Sequence, residues 1–512
     1  MYDTGVMLRS RPWHRWVVAG AVLVGIFYLF PAVTFRPTTS TAIADTRFLT
    51  PAPLSNLPFL KELLKDNGLG PEVEFASRHL KYRRNAETRP PLSQIPNKLF
   101  PNPPQTINIE TVTTLPQLLP PVTLAVENSP RPNEVDASAL IFGVSTTYSR
   151  FNDDAAGPLR EWKRWLTDGN GSSNGAALVL CLHEATDDQI LLAQTKLEGV
   201  GIRATVQHSD SSLDMPGRYF SLINALYNHP SRETRSYFGL IDDDTFFPSI
   251  AALLSMLSEH DPSKPYYIGA FTERVDWMMD HKVPMAYGGA GVFFTAPVVK
   301  TLDDLTPTCL KKNPESGLYL EWGDQGDLLL YNCLHNHTEV ILTNVPQLHQ
   351  MDQFGDPSGL YESGELPLSL HHYKSWHRLA PEKVHVVTDA CGLNCIFQRF
   401  QFADDWVLSN GYTISAFPRG IDFDIMKMEG TFDNGLAKNG VEDVSLSYSF
   451  GPLRKNLAGT GRKISWSLLD ARSDEYGRVT QVYVKRRDDE RWLAKDEPKP
   501  RLDSVIVLVW EL

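Results

Sequence analysis

Cysteine and positive charge are both scarce in this sequence. Five cysteines among 512 residues are too few for a small scaffold held together by disulfides. The 49 Lys and Arg residues are outnumbered by 61 Asp and Glu residues, so the formal net charge is −12. Because this balance supplies no basic face, we expect no nucleic-acid partner. The length favours two folded units plus unstructured parts.

The few cysteines suit an oxidising compartment with two disulfides. We expect one bridge between Cys309 and Cys333 and another between Cys391 and Cys395. Cys181 lies in an apolar run and is expected to be a buried free thiol. The last pair also has the spacing of a zinc half-site, but no second half with suitable spacing follows it.

The N-terminus contains a run without charged residues at positions 16–35, long enough to span a bilayer as a helix. Arg9, Arg11 and Arg15 precede it, which predicts a cytoplasmic tail at residues 1–15 and a lumenal body. This is the pattern of a single-pass, type II signal-anchor that attaches the protein to the membrane. A cleaved signal peptide is the competing interpretation, because small residues follow the run.

Residues 36–135 are rich in proline and show little hydrophobic periodicity. We expect them to form an extended, partly disordered stem that holds the next domain away from the membrane. A short helix is predicted near residues 57–67, within this stem.

Residues 136–383 alternate between strand-like and helix-like patterns. This alternation predicts βαβ units, and therefore an α/β domain with a mostly parallel central sheet. The predicted strands cover residues 140–147, 176–182, 202–207, 237–241 and a segment from 266, and the predicted helices cover residues 158–166, 186–198, 219–228 and 250–259. Residues 384–512 instead contain β-branched, alternating segments, which predict a β-rich C-terminal module such as a sandwich.

Three consecutive aspartates, Asp242, Asp243 and Asp244, follow the apolar strand at residues 237–241. Ligands bind at the C-terminal ends of strands in open α/β sheets. Adjacent carboxylates repel one another, and a hard cation such as Mg²⁺ or Mn²⁺ removes that cost. The alternative is an acidic turn that caps a helix beginning near Pro248.

Small residues mark two other segments of the predicted domain. Gly288, Gly289 and Gly291 lack side chains, so a ligand or another part of the protein can approach the backbone there. Their alternative role is a tight packing turn. Thr146 belongs to a group of small hydroxyl residues after the first strand, which suits either nucleotide contact or a simple strand-end turn.

Acidic residues and a histidine pair complete the candidate chemistry. Asp324 lies just before a predicted helix at residues 328–334, where a carboxylate acts either as a general base or as a helix cap. His371 and His372 are adjacent and follow a strand-like run, which suits a metal ligand, while an ordinary core or surface histidine is the alternative.

Taken in order, these features resemble the Fringe-like and β1,3-galactosyltransferase-like glycosyltransferases of family 31, which have the GT-A fold, and the fungal members match best. The resemblance covers residues 139–377. It depends on the order and spacing of the Asp triplet, the strand at residues 267–270, the glycine motif, the Glu-Trp-Gly-Asp-Gln segment and the histidine pair. An N-terminal anchor followed by a stem is also the plan of Golgi glycosyltransferases, so the resemblance implies the Golgi membrane.

The resemblance implies an inverting hexosyltransferase with a GT-A-type nucleotide-sugar-binding domain. Its donor would be a UDP-sugar, its cofactor Mn²⁺, and its acceptor a hydroxyl of a glycan or glycoprotein. Asp244 and His371 would bind the metal, with His372 as the rival histidine. Asp242 and Asp243 would contact the ribose or assist the metal.

The resemblance further implies that Asp324 is the catalytic base. This sequence has Gly-Asp-Gln where Fringe-type members have an Asp-Asp pair, so Asp327 and Glu321 remain contenders. The other implied substrate contacts are Thr146, Gly288, Gly289 and Gly291. Two other classes of function stay open, namely a metal- or carboxylate-dependent glycan hydrolase and a non-catalytic carbohydrate-binding membrane protein.

Overall fold

The computed structural model describes residues 57–115, 119–274, 277, 283–321, 323–374, 376–377, 379–433 and 449–511. The predicted cytoplasmic tail and signal-anchor, residues 1–35, lie outside this part of the chain. Within the part that is described, no helix is both long and apolar enough to cross a membrane. Residues 56–512 belong to a single structural unit.

Helices and strands alternate through the middle of the chain, whereas strands dominate its end. The helices are α1 (Leu57–Asp66), α2 (Tyr148–Phe151), α3 (Leu159–Leu166), α4 (Asp187–Gly199), α5 (Met215–Tyr227), α6 (Ile250–Ser258), α7 (Ala296–Cys309), α8 (Gly326–His337), α9 (Ser358–Tyr361) and α10 (Pro381–Cys391).

The strands up to the middle of the chain are β1 (Glu72–Asn85), β2 (Ser93–Ile95), β3 (Gln105–Asn108), β4 (Val122–Glu127), β5 (Leu140–Thr147), β6 (Ala177–His183), β7 (Ala204–His208), β8 (Tyr237–Leu240), β9 (Tyr267–Gly269), β10 (Val292–Thr295) and β11 (Leu342–Asn344). The later strands are β12 (Leu348–His349), β13 (Phe354–Gly355), β14 (Ser369–Leu370), β15 (Arg399–Phe402), β16 (Trp406–Ser409), β17 (Thr413–Ala416), β18 (Phe432–Asp433), β19 (Ile464–Ser473), β20 (Val479–Lys485) and β21 (Asp503–Glu511). The elements predicted between residues 140 and 269 all form, with ends that differ by a few residues.

A seven-stranded sheet has the order β11-β9-β10-β8-β5-β6-β7. Its neighbouring strands are parallel except where β10 pairs with β8 and β9. The prediction of an α/β fold with a mostly parallel central sheet is therefore confirmed. The C-terminal ends of β5, β6 and β8 lie side by side, which creates one edge where residues from three segments meet.

Helices cover both faces of this sheet. Phe142 of β5 packs into one core with Trp162 and Trp165 of α3 and with residues of α4 and α6. Its neighbour Ile141 belongs to a second core with Phe220 of α5 and residues of α7 and α8. Because successive strand side chains point to opposite faces, the continuous apolar run of β5 serves both cores.

A second sheet of ten strands contains the β-rich C-terminal segment. Its order is β2-β15-β16-β17-β19-β20-β21-β1-β3, and β4 also pairs with β1. The β-rich character predicted for residues 384–512 is confirmed. These strands share one sheet with β1, β2, β3 and β4. They do not form the separate sandwich that the sequence pattern suggested.

The extended stem predicted for this part of the chain is not what the structure shows between Leu57 and Glu127. The short helix expected there forms as α1, but β1 lies inside the ten-stranded sheet and pairs with β21. Its buried residues Val73 and Phe75 alternate with charged ones, and its partner strand lies more than 400 residues away in sequence. The local sequence pattern of β1 therefore does not indicate that this strand belongs to a sheet, because its partner strand is distant in sequence.

Both predicted disulfides are confirmed. Cys309 is bonded to Cys333, which ties the end of α7 to α8, and Cys391 is bonded to Cys395 after α10. Cys181 is a buried free thiol, as expected.

Candidate functional site

The Asp triplet lies at the C-terminal end of β8. The Asp242 amide donates to the Thr245 hydroxyl at 3.0 Å, and that hydroxyl donates to the Gly289 carbonyl at 2.8 Å. These bonds fix the turn against the glycine motif. The following helix, α6, is capped by Ser249, whose side chain accepts from the Ala252 amide. The triplet is thus separate from the helix cap that was its alternative role.

A short β-bridge brings the histidine pair to the triplet. The amides of Phe246 and Leu370 each donate to the other's carbonyl, at 2.9 and 2.8 Å. His371 and His372 come next in the chain. Consecutive side chains of an extended segment point to opposite sides, but His372 has a φ of +51°, in the left-handed region. This conformation breaks the alternation, and both imidazoles lie beside Asp244.

Asp244, His371 and His372 form a candidate metal centre. Their potential ligand atoms all lie within 4.8 Å of one another. His371 Nε2 is 3.1 Å from one oxygen of Asp244, and His372 Nδ1 is 3.8 Å from the other. Two imidazoles and a carboxylate are a ligand set that suits Mn²⁺ and other divalent transition metals. The two predicted ligands, Asp244 and His371, are brought together, and so is the rival His372.

Each imidazole is oriented by a second partner on its far side. His371 Nδ1 donates to the Gln350 carbonyl at 3.0 Å, which leaves Nε2 as the ring nitrogen that faces Asp244. His372 Nε2 is 3.4 Å from Asp352, which is only 1% exposed. Asp352 in turn accepts from the Thr272 hydroxyl at 2.8 Å. Partners of this kind fix the tautomer and the orientation of metal-binding histidines.

The charges in the triplet are unequal. Burial alone would raise the pKa of Asp244, but its hydrogen bond to His371 and that residue's charge lower it to about 2. Burial would lower the pKa of His371, yet Asp244 raises it to about 9. Desolvation at the floor of the cleft and the neighbouring carboxylates raise the pKa of Asp242 to about 6, although 44% of its side chain is accessible.

Asp243 has partners of its own. It is 8% exposed and accepts hydrogen bonds from the Thr146 hydroxyl and from two nitrogens of Arg150, with Nε at 2.7 Å. This bidentate pair raises the pKa of Arg150. Arg150 itself is 64% exposed, so its guanidinium is held in place while remaining open to the cleft.

Two cavities meet at the triplet and share Arg150. One, of about 310 Å³, is lined by the ends of β5 and β6 and the start of α5, with Ser145, Thr146, Thr147, Arg150, His183, Met215, Arg218, Tyr219 and the triplet. The other, of about 560 Å³, lies on the histidine side and is lined by Arg150, Asp153, Ala156, Pro158, the triplet, His371, His372, Lys374 and Trp376. The candidate metal centre therefore lies where a ligand in either cavity can reach it.

The glycine motif packs against the protein's own side chains. A Cβ placed on Gly289 would lie 2.3 Å from the His371 imidazole, and one on Gly288 would lie 2.8 Å from the Tyr219 hydroxyl. Gly291 has a φ of +95°, which favours glycine. The missing side chains thus make room for the metal-centre histidine and for Tyr219.

The three contenders for a base occupy different surroundings. Asp324 is exposed. Glu321 is paired with His337 at 2.8 Å and accepts from Asn336. Asp327 is half-buried and accepts from the Gly288 amide at 3.1 Å. The charge of Asp327 contributes to the raised pKa of Asp242, so Asp327 is the contender whose charge acts on the triplet.

Several residues of the site were missed by the sequence reasoning. They are Arg150, Gln350, Asp352, Lys374 and Trp376. Trp376 stacks on His372 with ring centroids 3.9 Å apart, and Lys374 pairs with the buried Glu161 at 2.7 Å. The only available signal was nearness in sequence to Thr146 for Arg150 and to the histidine pair for Lys374 and Trp376. Gln350 and Asp352 carry no pattern of their own.

Comparisons with known proteins give one family and a set of solved structures. A family model described as "Protein of unknown function, DUF604" matches residues 278–491, which include the glycine motif, the histidine pair and most of the C-terminal strands. No curated protein matches the chain.

Three of the similar solved structures are described as glycosyltransferases. Mouse xyloside xylosyltransferase 1 is 13% identical over 40% of this chain and 85% of its own, with a TM-score of 0.24. The mannosyltransferase PcManGT from Pyrobaculum calidifontis, solved with GDP-Man and Mn²⁺, is 15% identical over 42% of this chain and 57% of its own, with a TM-score of 0.26.

A glycosyltransferase involved in glycosylation of the major capsid of PBCV-1 is 12% identical over 48% of this chain and 99% of its own, with a TM-score of 0.27. TM-scores this low carry no information about function, which depends on the residues of the site itself.

Proposed function

We propose that the protein is a metal-dependent glycosyltransferase that moves a sugar from a UDP-sugar to a hydroxyl of a glycan or glycoprotein, with inversion at the sugar carbon. One observation carries the proposal. Asp244, His371 and His372 converge at the C-terminal edge of a mostly parallel sheet, at the junction of two cavities. That edge is where nucleotides bind in α/β folds.

Asp244 and His371 are the proposed ligands of Mn²⁺, with His372 as a third. When bound there, the metal would neutralise the diphosphate and make it a better leaving group. Arg150 adds a fixed positive charge on the same cleft, because Asp243 holds its guanidinium in place. Anchored charges of this kind stabilise developing charge without having to reorganise during the reaction.

The smaller cavity is the proposed site of the donor nucleotide. It has the hydroxyl residues at the end of β5 on one side and Arg218 and Tyr219 of α5 on another. Its volume of about 310 Å³ is in the range of small-molecule sites. Asp242, whose carboxylate is partly accessible, is the member of the triplet proposed to contact the ribose.

A carboxylate at the start of α8 is the proposed base that takes the proton from the acceptor hydroxyl. The resemblance implies Asp324. The effect of the Asp327 charge on Asp242 and the hydrogen bond from the Gly288 amide to Asp327 support Asp327 instead, because a base has to lie near the reacting atoms. Single Asp-to-Asn substitutions at both positions separate the two.

We also propose a lumenal location for this region, with the chain attached to the Golgi membrane through residues 16–35. Two disulfides support an oxidising compartment. Addition of a protease to sealed Golgi vesicles tests this proposal, since a lumenal body is protected until detergent is added. Digestion without detergent would contradict it.

The function is tested by incubating the purified full-length protein with a panel of UDP-sugars and neutral glycan acceptors in the presence of Mn²⁺. We expect UDP release that needs an acceptor and stops when EDTA is added. NMR of the new glycosidic bond reports inversion. Cleavage of a glycan without any nucleotide sugar would instead identify a hydrolase, and the absence of both reactions would overturn the proposal.

A further inference from the structure

A separate cavity of about 470 Å³ lies on the ten-stranded sheet. It shares no lining residue with the two cavities at the Asp triplet. Its volume is in the range of pockets that bind small organic ligands. The proposed glycosyl transfer leaves this cavity without a role.

The strand register places its lining residues on one face of the sheet. Lys485 of β20 is directly opposite Ser504 of β21, and Ser504 is directly opposite Glu74 of β1. Directly opposed residues on neighbouring strands point to the same face. On the other side of the cavity, Trp406 of β16 is opposite Ala416 of β17. The cavity therefore crosses adjacent strands at one end of the sheet.

Polar groups in this cavity lack partners. Lys485 is 7% exposed and Ser504 is 4% exposed. Among the described residues, neither the Lys485 ammonium nor the Ser504 hydroxyl has a hydrogen-bond or ion-pair partner. The Lys485 side chain is thus enclosed by the protein, while its ammonium has no acceptor within hydrogen-bond distance in the described part of the chain. A ligand with acceptor groups would supply one.

Aromatic rings line the cavity beside these polar groups. The rings of Trp406 and Trp466 have centroids 5.1 Å apart with an angle of 32° between their planes. They line the cavity together with the carboxylates of Glu74 and Glu497. The cavity thus combines apolar aromatic surface, an ammonium donor without a partner among the described residues and carboxylate acceptors.

We propose that this cavity is a binding site for a neutral oligosaccharide. A sugar ring has an apolar face that stacks on tryptophan and a rim of hydroxyls that both donate and accept hydrogen bonds. Such a ligand would accept from Lys485 and Ser504 and donate to Glu74. The carboxylates around the cavity disfavour an anionic ligand. The proposal stands whether or not the metal centre transfers sugar.

The test is calorimetric titration of the purified full-length protein with neutral tetrasaccharides, namely cellotetraose, laminaritetraose, mannotetraose and β1,4-galactotetraose, without nucleotide or metal. We expect at least one tetrasaccharide to bind with a Kd below about 5 mM. Lys485→Met keeps the apolar stem of the side chain but removes the donor, and should weaken this binding ~10-fold or more. Trp406→Ala should weaken the binding similarly. Tyr476→Ala is the control, because Tyr476 is 64% exposed at the opposite end of β19 and β20.

Circular dichroism and thermal unfolding establish that each variant is folded. Lys485→Met keeps the proposal testable if Trp406→Ala does not fold. The proposal is overturned if no tetrasaccharide binds, or if neither cavity variant changes the Kd of the one that does. Binding of only the apolar dye 8-anilinonaphthalene-1-sulfonate would identify an apolar docking surface and would also overturn it.

Discussion

The imidazole of His371 lies directly against the backbone of Gly289. A Cβ at position 289 would come within 2.3 Å of the His371 Cε1 and Nδ1 atoms, closer than any unstrained contact. The ring is also bonded through Nδ1 to the Gln350 carbonyl. The glycine motif and the histidine pair, far apart in sequence, are therefore parts of one packed arrangement that sets the direction of His371 Nε2.

Replacing Gly289 by alanine should displace the His371 ring. We expect Gly289→Ala to weaken Mn²⁺ binding by about 10- to 100-fold, the range found when the orientation of metal-binding histidines is disturbed. Isothermal titration with Mn²⁺ measures the change. The matched control is Gly199→Ala in α4, where a Cβ meets nothing within 4 Å. Equal metal affinity of the two variants would show that Gly289 does not position a ligand.

Asp352 tests whether His372 is a metal ligand. Its buried carboxylate lies 3.4 Å from His372 Nε2. We expect Asp352→Asn to weaken Mn²⁺ binding about 10-fold or more if His372 binds the metal, because the imidazole loses the acceptor that orients it. Titrations of Asp352→Asn and His372→Ala should then give similar losses. Full affinity in both variants would leave Asp244 and His371 as the protein's pair of ligands.

The base is identified by comparing two isosteric variants. We expect Asp327→Asn to lower kcat by about 10²- to 10⁴-fold with little change in the Kd for UDP, the loss typical of a missing general base. If Asp327 takes the proton, Asp324→Asn should leave kcat within about threefold of the wild type. The opposite pattern would assign the role to Asp324, as the family resemblance implies.

We expect His385 to make the stability of the fold depend on pH. It is 7% exposed, and burial, followed by the charge of Arg164, holds its pKa well below the usual 6.5. The unfolded chain therefore binds a proton below about pH 6.5 that the folded chain does not, and the free energy of unfolding falls by up to about 1.4 kcal/mol per pH unit.

Urea unfolding at about pH 7.5 and about pH 5.5 measures this effect. His385→Leu should lose less stability than the wild type on acidification, by about 1 kcal/mol. An equal loss in both proteins would mean that His385 is protonated in the folded state or remains hydrated.

Features that are marked by a local sequence pattern could be predicted from the sequence. The apolar run of β8 followed by three aspartates specifies a strand end with a carboxylate cluster, and Asp244 does lie beside His371. The alternating elements of the seven-stranded sheet were predictable for the same reason, since each shows its own periodicity. The two disulfides were predictable because they join the four cysteines that remain when Cys181, which lies in an apolar run, is set aside.

Residues whose role depends on tertiary contacts, and not on their neighbours in sequence, could not be predicted in this way. Asp352 has no neighbouring signal, and its role follows from the β12–β14 pairing that brings it beside His372. The role of Arg150 likewise depends on its hydrogen bonds to Asp243, 93 positions later in the chain. The pairing of β1 with β21 belongs to the same class, because the two strands come from opposite ends of the described chain.

The binding of a nucleoside diphosphate should depend on a metal held by Asp244 and the histidine pair. Titration of UDP into the purified protein, first with Mn²⁺ and then with EDTA, measures this dependence. We predict UDP binding that requires Mn²⁺ and is lost in Asp244→Ala, while thermal unfolding shows that this variant is folded. Equal UDP affinity in Mn²⁺ and EDTA, or unchanged binding by Asp244→Ala, would contradict the claim.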